Sequence, residues 1–140
     1  MVLQASINYL AVLVAAVVAM VIGGLWYSPL LFRNLWMRLA GKTTKDLEKA
    51  KQKGMGKLYL LAFIAALVTS YVLAHFVDYL EATTISSGMT AGFWLWLGFI
   101  ATTTLNSVLW EGKSFKLYIL NNAHLLLNLL VMGAILAVWT

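Results

Sequence analysis

Three side chains able to do chemistry recur at spacings of three and four near the end of the chain: Asn121, His124 and Asn128. On a helix they share one face. An imidazole between two carboxamides offers donors, acceptors and a group that takes up a proton near neutral pH. That combination suits a polar ligand, an ion or a proton relay. Asn106 occupies a comparable place on the preceding apolar stretch, with Trp110 and Glu111 at its end, and Trp26, Tyr27 and Ser28 close the first such stretch. If these stretches bundle, the nine residues form one candidate pocket. The plainer reading is adhesive: polar groups stitch membrane helices together at about 0.6 kcal/mol each, and Trp and Tyr anchor helix ends at the interface. The sequence leaves both readings open.

A smaller group, His75 and Asp78, also falls at a spacing of three, with Tyr71 and Tyr79 beside it. Such a pair can relay protons, but near a helix end it is also well tolerated as structure. The two histidines cannot grip one haem within the chain. His124 lies about 10 Å, and His75 about 26 Å, from the ends of their stretches that carry basic residues, at 1.5 Å of rise per residue. There is no cysteine, so thiol catalysis and iron–sulfur ligation are excluded. No cluster has metal-ligand spacing, no cofactor is expected, and no deep acid–base pair suggests an enzyme.

The elements that must carry these residues are set by composition. The 140 residues are 62% hydrophobic and 11% charged, with a mean hydropathy of +0.86. Soluble domains run at about 45–50% apolar and about 25% charged. Uncharged runs cover Met1–Phe32, Leu58–Val77, Ala82–Trp110 and Leu117–Thr140. About 20 helical residues cross a hydrocarbon core, and only helices satisfy their backbone within each segment. The expected fold is therefore an all-α integral membrane domain. Its four transmembrane helices fall near residues 6–28, 58–79, 88–110 and 117–138.

Charge placement orients it. All ten basic residues lie in two loops: eight from Arg33 to Lys57, and Lys113 with Lys116. The positive-inside rule puts both loops in the cytoplasm and both termini outside, and predicts that the basic loop 33–57 meets anionic lipid rather than nucleic acid. The first helix lacks a positive n-region and reads as a retained span.

Local signals refine the elements. Ala11, Ala15, Ala19 and Gly23, then Ala62, Ala66, Ser70 and Ala74, then Gly88 and Gly92 with Gly98 and Thr102 make small-residue ladders fit for close helix contact. Ser28-Pro29 reads as the cap and first turn of a short amphipathic helix carrying Leu31, Phe32, Leu35, Trp36 and Leu39, which would lie in the cytoplasmic interface. Gly41 would stop it. Thr43 with Asp46 then predicts a capping box on a polar helix through Lys53. Lys57-Leu58-Tyr59 and Lys116-Leu117-Tyr118 open corresponding spans, which suggests two parallel-related hairpins.

The run Ile7-Asn8-Tyr9, then Gly23-Gly24-Leu25-Trp26-Tyr27-Ser28-Pro29 with Phe32 and Trp36, resembles the family catalogued as domain of unknown function number 1761, and His124 fits the same pattern. The resemblance covers the whole chain and implies four spans in a prokaryotic cytoplasmic membrane. It carries over no catalytic residue. Arg33 departs from it, standing where the family pattern has a glycine. The function expected on these grounds is a non-enzymatic accessory or scaffold subunit of a membrane assembly, meeting a membrane-protein partner or its own copies. The alternative is an oligomeric transporter or channel for small solutes or ions, with the polar pocket facing the pathway.

Overall fold

The computed structural model describes residues 5–139, and every regular element among them is helical. Four helices are long and apolar enough to cross a membrane: α1 (Tyr9–Trp26), α4 (Gly56–Tyr79), α5 (Ile85–Leu109) and α6 (Phe115–Val138). Two short helices, α2 (Arg33–Ala40) and α3 (Thr44–Gln52), fill the basic loop.

Helix ends follow local chemistry. The Asn8 side chain accepts from the amides of Leu10 and Ala11, so α1 begins at Tyr9 rather than near Ser6. Thr84 and Ser87 form a reciprocal box that starts α5 at Ile85, three residues before the expected Gly88. Thr43 and Asp46 form the expected box on α3, with bonds of 2.8 and 3.2 Å. The Thr43 amide and hydroxyl both donate to Asp46 Oδ2, and these two bonds hold the Asp46 carboxyl below its usual range. Gly41, at φ 70°, ends α2 in the left-handed conformation.

One expectation is corrected. Ser28 does not cap α2: its hydroxyl donates to the Leu25 carbonyl at 2.7 Å, and α2 starts at Arg33 with Phe32 as its uncapped N-cap. The last carbonyls of α1 need partners more urgently than a helix that has not begun. Residues 27–32 form turns instead, with the Ser28 carbonyl accepting from Leu31 and Arg33.

A second feature was not foreseen. Within α5, residues Trp96–Ala101 are wound as a π-helix. Just beyond it, the hydroxyls of Thr102, Thr103 and Thr104 donate to the carbonyls of Gly98, Phe99 and Ile100 at 2.6–2.7 Å. Three consecutive back-bonding threonines compete for the ladder at this point and favour local rewinding.

α6 is the shared element, packing against α1, α4 and α5. The ladders make the close contacts. Ala11, Ala15 and Ala19 of α1 are buried with Leu73, Ala74 and Val77 of α4, and the fully buried Ser70 donates to the Val12 carbonyl at 2.9 Å. Against α6, a Cβ on Gly88 would lie 2.2 Å from the Gly133 carbonyl oxygen, and one on Gly92 would lie 2.3 Å from that of Leu129. Gly98 meets nothing within 4 Å, so its place in the ladder has no partner in the chain.

Burial is uneven along the bundle. In α1 it runs from Ala11 to Ala19 and in α4 from Ser70 to Val77, leaving Met20–Trp26 and Gly56–Thr69 without a buried residue. The bundle is tight at the end away from the basic loops and open at the end that carries them. The open end contains the site.

Candidate functional site

At the basic end, α1 and α4 leave a cavity of about 500 Å³ between them, closed on one side by α6. Its walls are small: Ala19, Gly23 and Gly24 from α1, and Ala62, Ala65 and Ala66 from α4. α6 contributes His124 and Asn128, one helical turn apart, and Tyr27, Arg33 and Tyr59 stand at the end near the basic loops.

His124 is held by aromatic rings. Tyr27 meets it edge-on with centroids 5.1 Å apart, and Trp26 lies tilted at 6.0 Å. Gly23 makes the space for it, since a Cβ there would approach His124 Nε2 to 3.3 Å. The Tyr27 hydroxyl donates to Asn121 Oδ1 at 2.8 Å, fixing the tyrosine that flanks the imidazole. Arg33 donates from Nε to the Tyr27 carbonyl at 3.2 Å.

Polar demand here exceeds supply. Trp26 Nε1, His124 Nε2 and Asn128 Oδ1 are buried with no hydrogen-bond partner. Buried polar groups are nearly always paired, and an unpaired one costs about 1–3 kcal/mol. Three such atoms around one histidine are more than helix adhesion leaves behind.

The nine residues expected in one pocket do not share one. Tyr27, His124 and Asn128 line the cavity, and Trp26 packs on His124. Ser28 turns back onto α1. Asn106, Trp110 and Glu111 line a different recess, of about 640 Å³, between the end of α5 and α6. There Trp110 is 83% exposed and Glu111 faces Lys113 across 3.9 Å at the surface. Asn121 borders that recess while bonding to Tyr27, so it links the two. The division arises because α6 stands between its contacts with α1 and with α5, and a polar residue on α5 meets a different side of it.

His75 and Asp78 also take separate partners. His75 Nδ1 bonds its own helix at the Tyr71 carbonyl, 2.8 Å away, while Asp78 accepts the Ser6 amide at 3.2 Å. No ion pair joins them among the described residues. Among the described residues, no group of three or more His, Asp or Glu gathers where it could hold a metal ion.

Sequence reasoning missed Asn122, which is 4% exposed. Its amide donates to the Tyr118 carbonyl at 3.0 Å and accepts from Thr104 at 3.1 Å. Its backbone carbonyl accepts Trp96 Nε1 at 3.0 Å, and the Tyr118 hydroxyl donates to the Ala101 carbonyl. This network clasps the π-helical stretch to α6. The signal was the Asn121-Asn122 pair itself: adjacent helical residues point about 100° apart, so only one can join the His124 face.

The family model described as protein of unknown function (DUF1761) matches residues 10–137. No curated protein and no solved structure matches the chain.

Proposed function

We propose, for a chain that belongs to the DUF1761 family, the role of a non-enzymatic accessory subunit that docks to a membrane-protein partner, or to its own copies, along α5. The observation that carries this reading is the character of that helix. It is the least apolar of the four spans and has the smallest buried share, yet it exposes Thr102, Thr103 and Asn106, which at spacings of four and three lie on one side of the helix. A helix facing only lipid has no reason to display a polar strip, whereas threonine and asparagine are common where spans meet.

Docking at α5 is tested with a photoreactive residue placed at Thr103 and irradiated in native membranes. A discrete adduct is expected from Thr103 and none from Val17, an exposed position on α1. No adduct at Thr103, or the same adduct at both, would remove α5 as the docking face. An oligomeric transporter or channel is the second reading, favoured by the unpaired polar atoms around His124. Solute or proton flux in proteoliposomes that falls with His124→Ala would select it.

The arrangement proposed around this role has several supports. The ten basic residues on one side favour a prokaryotic cytoplasmic membrane with both termini outside. A reporter inactive outside the cytoplasm, fused after Thr140, should stay silent; activity there would reverse the orientation. Leu35, Trp36, Met37 and Leu39 are partly covered while Asn34 and Arg38 are exposed, which suits α2 lying in the cytoplasmic interface beside anionic lipid. α4 and α6 each have 24 residues with lysine second, which favours two hairpins, α1–α4 and α5–α6, related by an axis along the membrane normal.

A further inference from the structure

We propose that the cavity between α1, α4 and α6 is a lipid site that takes one anionic phospholipid, its phosphate on Arg33. The proposal is independent of docking at α5. It starts from a cation without a counter-charge. Arg33 is half-buried, its Nε is fixed on the Tyr27 carbonyl, and it lines the cavity. No aspartate or glutamate lines that cavity, and Arg33 has no ion pair among the described residues. A guanidinium presents a rigid fork matched to phosphate oxygens, and the Nε bond leaves its terminal amino groups to bind them.

The walls say what is attached to the anion. Gly24, Ala62 and Ala65 are exposed, so the cavity opens sideways between two spans rather than into water alone. Small apolar walls of this kind accept a chain and do not bind a hydrated ion. Further in, His124 Nε2 is left without a partner by the protein and, as the Nε2–H tautomer, offers a donor. The ester carbonyls and glycerol oxygens of a phospholipid sit just inward of its phosphate and supply acceptors at that depth. Free phosphate would meet Arg33 and leave the walls and His124 unused. The basic loop attracts anionic lipid diffusely; this cavity is distinguished by an enclosed single place.

The test uses the full chain purified in mild detergent with short-chain phosphatidylglycerol, short-chain phosphatidylcholine or inorganic phosphate. One phosphatidylglycerol per chain should survive native mass spectrometry, and its addition should raise the unfolding temperature by several degrees. Phosphatidylcholine should do so much less, and phosphate not at all. Arg33→Gly should abolish the preference for phosphatidylglycerol, and Arg33→Lys should restore part of it. Ala65→Trp, which fills the cavity and leaves Arg33 in place, should abolish retention. Lys49→Gln with Lys53→Gln should leave it intact. Equal retention of the two lipids would overturn the proposal, as would stabilisation by phosphate alone, or persistence of the preference in Arg33→Gly. So would full retention in Ala65→Trp or loss in the lysine variant. Far-UV circular dichroism identifies any variant that has not folded, and the remaining variants then decide.

Discussion

Gly88→Ala is expected to pull α5 away from α6. The added Cβ would sit 2.2 Å from the Gly133 carbonyl oxygen and 2.7 Å from Ala137 Cβ. The first neighbour is backbone, so no rotamer change relieves the clash, and the helices must separate. Overpacking a tight contact costs about 1–3 kcal/mol, and a backbone-to-backbone approach belongs at the upper end, about 3 kcal/mol. Spans in a bilayer gain nothing from the hydrophobic effect when they associate, so close packing and hydrogen bonds are what hold them. Gly133→Ala should behave alike, because a Cβ there would lie 2.3 Å from the Gly88 carbonyl oxygen. Gly98→Ala is the control, having no neighbour within 4 Å; it should be neutral or slightly stabilising, since alanine is the better helix former. Unfolding in mixed micelles of increasing SDS fraction reads all three. An unchanged midpoint for Gly88→Ala would show that α5 is held to α6 by other means, the Asn122 network first among them.

Ser70→Leu should have the next largest effect. Ser70 is 0% exposed, and its hydroxyl bonds the carbonyl of Val12, 58 residues away in the chain. Ser70→Ala loses only that bond, about 0.6 kcal/mol by the average for membrane helices. Ser70→Leu loses it and drives a branched side chain into the fully buried contact with α1 at Val12, at about 2–3 kcal/mol. The consequence reaches the site. α1 and α4 are clamped at Ser70 and open beyond it, so forcing them apart there widens the cavity under His124. The same SDS titration measures both variants, and a Ser70→Leu midpoint no lower than that of Ser70→Ala would refute the clamp.

These two contacts show where legibility in the sequence ended. The four spans could be read because uncharged runs of 20 residues or more have one stable state in a bilayer, and charges mark their ends without reference to any partner. Caps are equally local. Thr43 with Asp46 and Gly41 were readable, while Asn8, Thr84 and Ser28 each moved a boundary by a few residues because a side chain can serve the helix behind it or the one ahead. The ladders were visible as small residues at helical spacing. Their spacing could not say that Gly88 faces Gly133, that Ser70 faces Val12, or that Gly98 faces nothing.

The candidate site divides in the same way. Asn121, His124 and Asn128 announce a polar face by themselves, because a polar group in an apolar span is conspicuous wherever the span packs. Which neighbour that face meets is a property of the bundle. Tertiary packing put α6 in the middle, gave His124 and Asn128 to the cavity beside α1 and α4, and left Asn106, Trp110 and Glu111 in a separate recess. It also buried Asn122 against the rewound stretch of α5 and set Arg33 over the cavity without a counter-charge. Composition and period act along one helix; the pairing of faces depends on residues tens of positions apart, and only the folded bundle brings them together.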